Sequence, residues 1–236
     1  NVVVDANGLP KISTTNKTLG KFTPDWTGGI SNTFSYRSLS LSFLIDASVG
    51  GSIFSNTNKT GKYTGVLANT LSGRDAEHGG LWYYTDAMGN NVRLPESPSY
   101  SVSSDGLYYA QVNGQSTRVY QDGIMVEGVT ESGSKNEEVV SAEKYYHRIY
   151  SIAEANVYDA SYVKLREVAL SYRLPRLWTQ KLHLQEASVT LTGRNLWTIY
   201  KSVPNIDPES ALTTGNAQGV EAYSLPTTRS FGVNLS

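Results

Sequence analysis

The sequence predicts an all-β protein, namely a segment of a transmembrane antiparallel β-barrel with long extracellular loops. Hydrophobic and polar residues alternate over stretches of more than ten residues, and very short and very long connections follow one another along the chain. No apolar run approaches the ~20 residues that a membrane-spanning helix needs. Alternation with a period of two indicates strands with one apolar and one polar face. Short periplasmic turns and long outer loops are typical of membrane barrels.

A transmembrane β-hairpin is predicted at 26–50, after an outer loop and strand lead-in at 1–25. Trp26 and Tyr36 share one face of its first strand and lie ten residues apart, which is about 33 Å along a strand. A strand tilt near 45° reduces this to roughly 23 Å, close to the ~25 Å apolar band that aromatic girdles flank in membrane barrels. After a tight turn at Arg37 and Ser38, the alternation resumes. We therefore expect the apolar face to contact lipid.

The remaining elements follow from the loop lengths. If the turn at Arg37 is periplasmic, the second strand ascends and the next connection is extracellular. Ser141 is a suitable N-cap for one short helix in that connection. The predicted segments are a long extracellular loop at 51–160 with a short helix near 141–151, a transmembrane strand pair with a periplasmic turn at 161–200, an extracellular loop at 201–228 and the last barrel strand at 229–236. The predicted girdle and lipid-facing residues are Trp26, Tyr36, Phe43, Tyr172, Trp197 and Phe231.

The strand at 161–174 changes phase in its middle. Val163 and Leu165 share one parity, whereas Val168, Leu170 and Tyr172 share the other. In a regular strand with Val168 on the lipid side, Lys164 and Arg166 face outward and Glu167 faces the lumen. A β-bulge reverses that assignment for the upper half. Both arrangements favour a structural role for these charges, as for Arg194, whose parity places it inside the barrel.

About five strands cannot close a membrane barrel, because the smallest ones need eight. An open edge in lipid leaves backbone groups unpaired at high cost. Further strands must therefore come from elsewhere if the membrane interpretation is right.

Four blocks of the sequence, in this order, carry a resemblance to a known family. They are "GKFTPDWTGGISNTFSYRSLSLSFLIDASVGGSIFSNTN", "VYDASYVKLREVALSYRLP", "SVTLTGRNLWTIYKSVPNIDPES" and "LPTTRSFGVNLS". The chain resembles the C-terminal barrel portion of SusC/RagA-type TonB-dependent outer-membrane transporters from about Asp5 to Ser236. The family pattern usually ends in an aromatic residue, whereas residue 236 is a serine.

This resemblance implies about five C-terminal strands of a 22-stranded barrel in the outer membrane of a Gram-negative bacterium. The implied partners are the remaining strands and plug of the same transporter, a SusD-like surface lipoprotein as lid, and the TonB system, which acts through an N-terminal part of the transporter. The implied activity is import of oligosaccharides or peptides, with no cofactor.

Catalytic signatures do not appear in the sequence. The three histidines, His78, His147 and His183, lack the spacing of metal ligands, and no nucleophile elbow, P-loop or dinucleotide fingerprint occurs. The chain contains no cysteine, which excludes disulfides, thiolate metal sites and cysteine nucleophiles. A formal net charge of −1 gives no reason to expect nucleic acid as a partner. We therefore predict that the chain is not an enzyme.

Aromatic residues cluster in the predicted loop at 51–160. Tyrosine and tryptophan there can stack on sugar rings, contact a lid protein, or pack the loop on itself or on the barrel rim. These candidate contact residues are Trp82, Tyr83, Tyr84, Tyr108 and Tyr109.

A soluble or surface-attached β-sandwich that binds glycans is the alternative function. Charged residues are only 17% of the chain and the mean hydropathy is −0.33, values that both interpretations accommodate. A sandwich of this size predicts seven or more short strands at spacings of about 8–12 residues. The long strands and the very long connection favour the membrane barrel.

Overall fold

A computed structural model describes residues 2–181, 183–211 and 215–236. Strands dominate this part of the chain, so the predicted all-β class is confirmed. The three α-helices are α1 (Asn56–Thr64), α2 (Ala142–Ser151) and α3 (Arg176–Lys181), and single 3-10 turns span Ala68–Thr70, Glu154–Asn156 and Pro208–Ala211. The strands are β1 (Val2–Val3), β2 (Trp26–Tyr36), β3 (Leu39–Val49), β4 (Ser52–Ser55), β5 (Leu81–Thr85), β6 (Asn91–Arg93), β7 (Tyr100–Val102), β8 (Tyr108–Val112), β9 (Gln115–Ile124), β10 (Gly128–Val129), β11 (Val140–Ser141), β12 (Val157–Asp159), β13 (Tyr162–Arg173), β14 (Ser188–Lys201), β15 (Val220–Glu221) and β16 (Ser230–Leu235).

The chain forms two compact units. The first, called the inserted unit below, comprises residues 2–18 and 58–156; the second, called the sheet unit, comprises 19–57 and 157–236 with the gaps given above. No helix among the residues that the structure describes is both long and apolar enough to cross a membrane.

The sheet unit is built on a five-stranded antiparallel sheet with the order β16-β14-β13-β3-β2. The first hairpin pairs Trp26 with Val49 at one end and Tyr36 with Leu39 at the other, so only Arg37 and Ser38 form the turn. Arg37 adopts a φ of 54°, as the tight turns of hairpins require. Strands β2 and β16 lie at the two edges, and this sheet is open.

A smaller sheet, with the order β12-β4-β15, completes the sheet unit. Its core contains Ile53, Val203, Ile206 and Ala211, all buried. Three of these four residues belong to the segment after β14, so part of the predicted loop at 201–228 packs as core. Residues 212–214 of that loop lie outside the described residues.

The inserted unit contains a sheet of its own, where the sequence predicted a long loop with one short helix. Strands β6-β5-β9-β8-β7 lie side by side, and β11 also pairs with β9. Trp82, Ala110 and Val119 form its core. Of these strands, only β9 exceeds five residues, and glycine turns such as Gly106 and Gly114, both with positive φ, separate them. Apart from β9, these strands are too short to leave a period-two pattern that can be detected in the sequence, so they were not predicted.

Helix α2 lies where the sequence predicted a short helix near 141–151. Its N-cap is Ser141, whose hydroxyl oxygen accepts a hydrogen bond from the Lys144 backbone N–H at 3.3 Å. The connection between β13 and β14 additionally contains α3, which the sequence did not predict.

Candidate functional site

The five-stranded sheet has one apolar face. In an antiparallel ladder, residues directly opposite each other project to the same side. Across the strands, Tyr36, Leu39 and Tyr172 form one such row, which continues to Val189 and Leu235. The next apolar row contains Phe34, Leu41, Leu170, Leu191 and Val233.

The six residues predicted as girdle and lipid-facing residues all lie on this apolar face. Trp26 and Trp197 lie toward one end of the sheet, Tyr36 and Tyr172 toward the other, and Phe43 and Phe231 share a row between them. The face is uncovered: Tyr36 is 71% exposed and Phe231 is 80% exposed. Contact of these residues with lipid remains a prediction.

The opposite face of the same sheet is polar. The hydroxyl oxygens of Ser35 and Ser40 lie 2.9 Å apart, and those of Ser171 and Thr190 lie 2.8 Å apart. Leu44 and Ala169 are the apolar residues in the middle of this face. The other side chains on it include Ser31, Thr33, Ser42, Asp46, Ser48, Lys164, Glu167, Ser188, Thr192, Arg194, Thr198 and Asn234.

A β-bulge at Arg166 keeps the two faces continuous. The pairing of β13 with β3 shifts between Leu165 and Glu167, so Val163 and Leu165 share a face with Val168. Lys164 consequently lies on the polar face, opposite Asp46. Of the two arrangements left open by the sequence, the bulged one is correct, and the outward orientation of Lys164 and Arg166 is wrong.

An ion-pair cluster occupies the polar face at the bulge. The Lys164 ammonium donates hydrogen bonds to Asp207 Oδ1 and Glu209 Oε2, each at 2.6 Å, and its side chain is only 3% exposed. The Arg166 guanidinium bonds to Asp46 Oδ2 at 2.6 Å and to both carboxylate oxygens of Glu209. Lys164 and Arg166 of β13 therefore bind carboxylates at the 3-10 turn that follows β14.

Asp207 also ties down the far end of the same segment. Its Oδ2 accepts hydrogen bonds from the Thr227 hydroxyl at 2.6 Å and from the Thr227 backbone N–H at 3.2 Å. Burial alone would raise the pKa of the Asp207 carboxyl, but the hydrogen bonds from Lys164 and Thr227 outweigh burial and hold that pKa at about 2. Burial likewise opposes ionisation of Glu209, yet hydrogen bonds from Arg166 and Lys164 lower its pKa. Both groups are therefore carboxylates at neutral pH.

Arg194 contacts Glu167 on the same polar face, as its parity predicted. Arg194 Nε donates to Glu167 Oε2 at 2.8 Å, but both side chains are exposed. The neighbouring Asn195 has a φ of 51°, and the β14 pairing with β13 is irregular there.

The aromatic residues predicted to contact substrate or partner are distributed through the sheet of the inserted unit. Trp82 is 7% exposed and packs edge-on against Tyr108, with ring centroids 5.7 Å apart. Tyr83 is 4% exposed, stacks on Tyr120 and donates its hydroxyl hydrogen bond to Asp122 at 3.1 Å. Burial argues against contact by Trp82 and Tyr83, since both rings are used in internal packing. Tyr84, Tyr108 and Tyr109 retain exposed surface, and their contact role remains a prediction.

A second aromatic group, which the sequence did not single out, surrounds a cavity in the inserted unit. Tyr63 stacks on His147, and Tyr146 and Glu143 line the same cavity. The signal in the sequence was the helix "AEKYYHRIYS", whose residues 143, 146, 147 and 150 recur at helical spacing. Tyr63 lies on a different helix, so only the fold brings it there. Among the described residues, no group of three or more His, Asp or Glu side chains forms a potential metal site.

Comparison with known proteins supports the resemblance that the four sequence blocks indicated. No protein-family model matches the chain. The TonB-dependent receptor P3 of Formosa agariphila is 25% identical over 239 residues, which cover 98% of this chain and 18% of that receptor. Solved structures of the RagAB peptide importer are also similar. The closed-closed state has a TM-score of 0.45 at 19% identity, covering 99% of this chain and 20% of the importer chain; the open-open state has a TM-score of 0.43 at 19% identity, covering 91% and 17%.

The chain thus spans about a fifth of the length of the curated relative that it matches. Over nearly its whole length it resembles a portion of a TonB-dependent receptor, and the family resemblance predicted from its sequence is confirmed.

Proposed function

We propose that this chain is a wall segment of a TonB-dependent outer-membrane importer. One observation carries the proposal: across all five long strands, one face is apolar and uncovered while the other is polar and contains ion pairs. A strand in a membrane barrel needs such alternation, because one face contacts lipid and the other lines the lumen. A soluble β-sandwich would instead bury its apolar face against a second sheet.

The open edges of the sheet support the presence of further strands. Edge strands β2 and β16 leave their outer backbone groups without strand partners in this sheet. Unpaired backbone groups are energetically costly in lipid, so further strands must pair with both edges and close the barrel. In this proposal the remaining strands and the plug belong to the same transporter, and TonB acts through another part of that transporter.

The orientation follows from connection lengths. The turn at Arg37 and the connection containing α3 are short, and they lie at the same end of the sheet as Ser236. We assign this end to the periplasm and the segments 51–160 and 201–228 to the outside, as in other membrane barrels. The ion-pair cluster would then fix the outer segment 201–228 to the lumen side of the wall.

The proposed cargo is an oligosaccharide or a peptide, delivered with a SusD-like surface lipoprotein as lid. The resemblance to TonB-dependent receptors supports import. The inserted unit, which we assign to the outside, offers the exposed Tyr108 and the half-buried Tyr84 and Tyr109 as contacts for cargo or lid. The proposed location is the outer membrane of a Gram-negative bacterium, and no catalytic step is assigned to the chain.

Spin labels on adjacent residues test the two-faced wall. The chain has no cysteine of its own, so Phe34→Cys and Ser35→Cys, with Val233→Cys and Asn234→Cys as a second pair, introduce labelling sites on opposite faces. In outer membranes, we expect labels at Phe34 and Val233 to be relaxed strongly by oxygen and weakly by a water-soluble nickel chelate. Labels at Ser35 and Asn234 should show less oxygen relaxation.

Fractionation provides the independent control. Recovery of the chain with the outer membrane agrees with the proposal. Recovery as a soluble monomer of about 25.8 kDa, with equal accessibility at both members of each pair, would contradict it and favour the soluble glycan-binding alternative.

A further inference from the structure

A cavity large enough for a small ligand lies within the inserted unit. Its volume is about 410 Å³, within the range of roughly 300–1,000 Å³ typical of small-molecule sites. Its lining comes from the end of α1, from Arg74, from β9 and from the first turns of α2. We call it the Tyr63 cavity. The aromatic and charged side chains that line it include Tyr63, Arg74, Asp122, Glu143, Tyr146 and His147.

An aromatic platform forms one part of the cavity lining. Tyr63 is 47% exposed, and its ring stacks on His147 with centroids 4.1 Å apart and planes at 17°. Tyr150 lies against the same Tyr63 ring at 5.0 Å, and the Lys59 ammonium lies 4.4 Å from the Tyr150 centroid. These contacts restrict the ring before any ligand arrives, which lowers the entropic cost of binding on it.

Fixed hydrogen-bonding groups accompany the platform. Arg74 Nη2 donates to the Gly65 carbonyl at 2.6 Å and to the Thr70 hydroxyl at 3.2 Å, which orients the guanidinium. The Tyr146 hydroxyl donates to the carbonyls of Asn69 and Ser72. Asp122 accepts from the Tyr83 hydroxyl at 3.1 Å and keeps further acceptor capacity. The Glu143 carboxylate makes no hydrogen bond or ion pair with any residue that the structure describes.

The combination matches the chemistry of a sugar ring. The C–H face of a pyranose packs on an aromatic ring, while its neighbouring hydroxyls donate to carboxylates and accept from a guanidinium. Peptides are instead held by exposed sheet edges, apolar grooves or backbone nests. Ala142 and Gly65 are the non-aromatic apolar residues lining this cavity, so it offers no apolar anchoring pocket.

We propose that the Tyr63 cavity binds a short oligosaccharide, with Tyr63 as the stacking platform and Asp122, Glu143 and Arg74 as hydroxyl partners. This inference rests on the proposed function, since it assigns the captured cargo of the importer to a site on its outer segment.

Calorimetric titration of the full-length protein, purified from whichever cell fraction holds it, tests the site. The probes are cellotetraose, maltotetraose, xylotetraose and a tetra-galacturonate, with an equimolar mixture of unrelated octapeptides as comparison. At least one tetrasaccharide should bind, Tyr63→Ala should weaken that binding about tenfold or more, and Tyr63→Phe should stay within about twofold, because the ring is retained. Glu143→Gln should also weaken binding, whereas Glu127→Gln, at an exposed glutamate outside the cavity lining, should not.

Binding that is unchanged in both Tyr63→Ala and Glu143→Gln would overturn the proposal, as would binding of the octapeptides alone or of none of the probes. Unfolding profiles of the variants establish that a loss is not a loss of the fold, and Glu143→Gln, compared with Glu127→Gln, keeps the test decisive if Tyr63→Ala is unstable. Outer-membrane recovery with no saccharide binding refutes this inference alone. Recovery of a soluble protein refutes the importer, whatever the calorimetry shows.

Discussion

Lys164 does not face the side of the sheet that its position in a regular strand would predict. Its parity with Arg166 in a regular strand points both side chains to the lipid side, yet the bulge turns Lys164 to the polar face and buries it against two carboxylates. Two cations and three carboxylates meet there, namely Lys164, Arg166, Asp46, Asp207 and Glu209. A buried ion pair is stabilising only while all partners are present, because each uncompensated charge carries its full desolvation cost.

Replacing Lys164 by methionine should therefore destabilise the protein by about 3–5 kcal/mol, the usual cost of breaking a buried pair from one side. Equilibrium unfolding of the detergent-solubilised protein in guanidinium chloride measures this. The control is Arg194→Gln, which breaks the exposed pair with Glu167 on the same sheet and should cost at most about 1 kcal/mol. Equal losses of unfolding free energy in the two variants would show that burial of the Lys164 cluster does not raise the cost of breaking it.

At the scale of elements, the strands of the five-stranded sheet could be predicted from the sequence, and those of the inserted unit could not. Alternation located both strands of the first hairpin, the strand pair within 161–200 and the strand at 229–236, because the period-two pattern persists along each of them. The phase change in β13 indicated a possible bulge, but only strand pairing decided it. In the inserted unit, the strands that pair with β9 have five residues or fewer, so their existence depends on tertiary contacts that no local pattern encodes.

The candidate site follows the same division. Faces of long strands follow from parity, so all six predicted lipid-face residues share one face. Clusters that join distant segments cannot be predicted from parity, because folding alone brings Lys164 to Asp207 and Tyr63 to His147. Exposure is equally hidden in the sequence: Trp82 and Tyr108 look alike as loop aromatics, yet Trp82 is core.

The segment 201–228 should detach from the sheet in acid. The pKa of Asp207 is held at about 2, below its ordinary value of 3.8, so the stabilisation is complete above about pH 4 and disappears as the pH falls through about 2. Pepsin, which is active in this window, should cleave near Tyr223 and Leu225 at a rate that rises steeply between pH 4 and pH 2. The Asp207→Asn variant cannot make the charged contact and should already be cleaved rapidly at pH 4. If the two proteins are cut at the same rate throughout, Asp207 does not hold the segment.

At the scale of the whole molecule, the chain interrupts one compact unit with another. The sheet unit continues from Thr57 to Val157, and the residues at this junction are close, because Val157 pairs with Phe54 in the small sheet. Glu221 secures the junction on the sheet-unit side: its buried carboxylate accepts hydrogen bonds from the hydroxyls of Ser55 and Thr57 and from the backbone of Thr57 and Ser224. The inserted unit has its own core around Trp82. We therefore expect the proposed wall role and the proposed cargo capture to be separable.

Replacing residues 58–156 by a short Gly/Ser linker in the full-length protein should leave the wall intact and abolish cargo binding. The cut keeps Thr57 and its bonds to Glu221, and the linker spans only the gap beside the Phe54–Val157 pair, so loop closure costs little. We expect the shortened protein to fractionate with the outer membrane and to keep the spin-label contrast between Phe34 and Ser35, while losing tetrasaccharide binding. The matched control deletes only the turn residues 131–134 of the inserted unit, which are largely exposed, and should preserve both properties. Loss of membrane assembly in the 58–156 replacement but not in the control would mean that the inserted unit is needed to build the wall, and the separation of the two roles would be wrong.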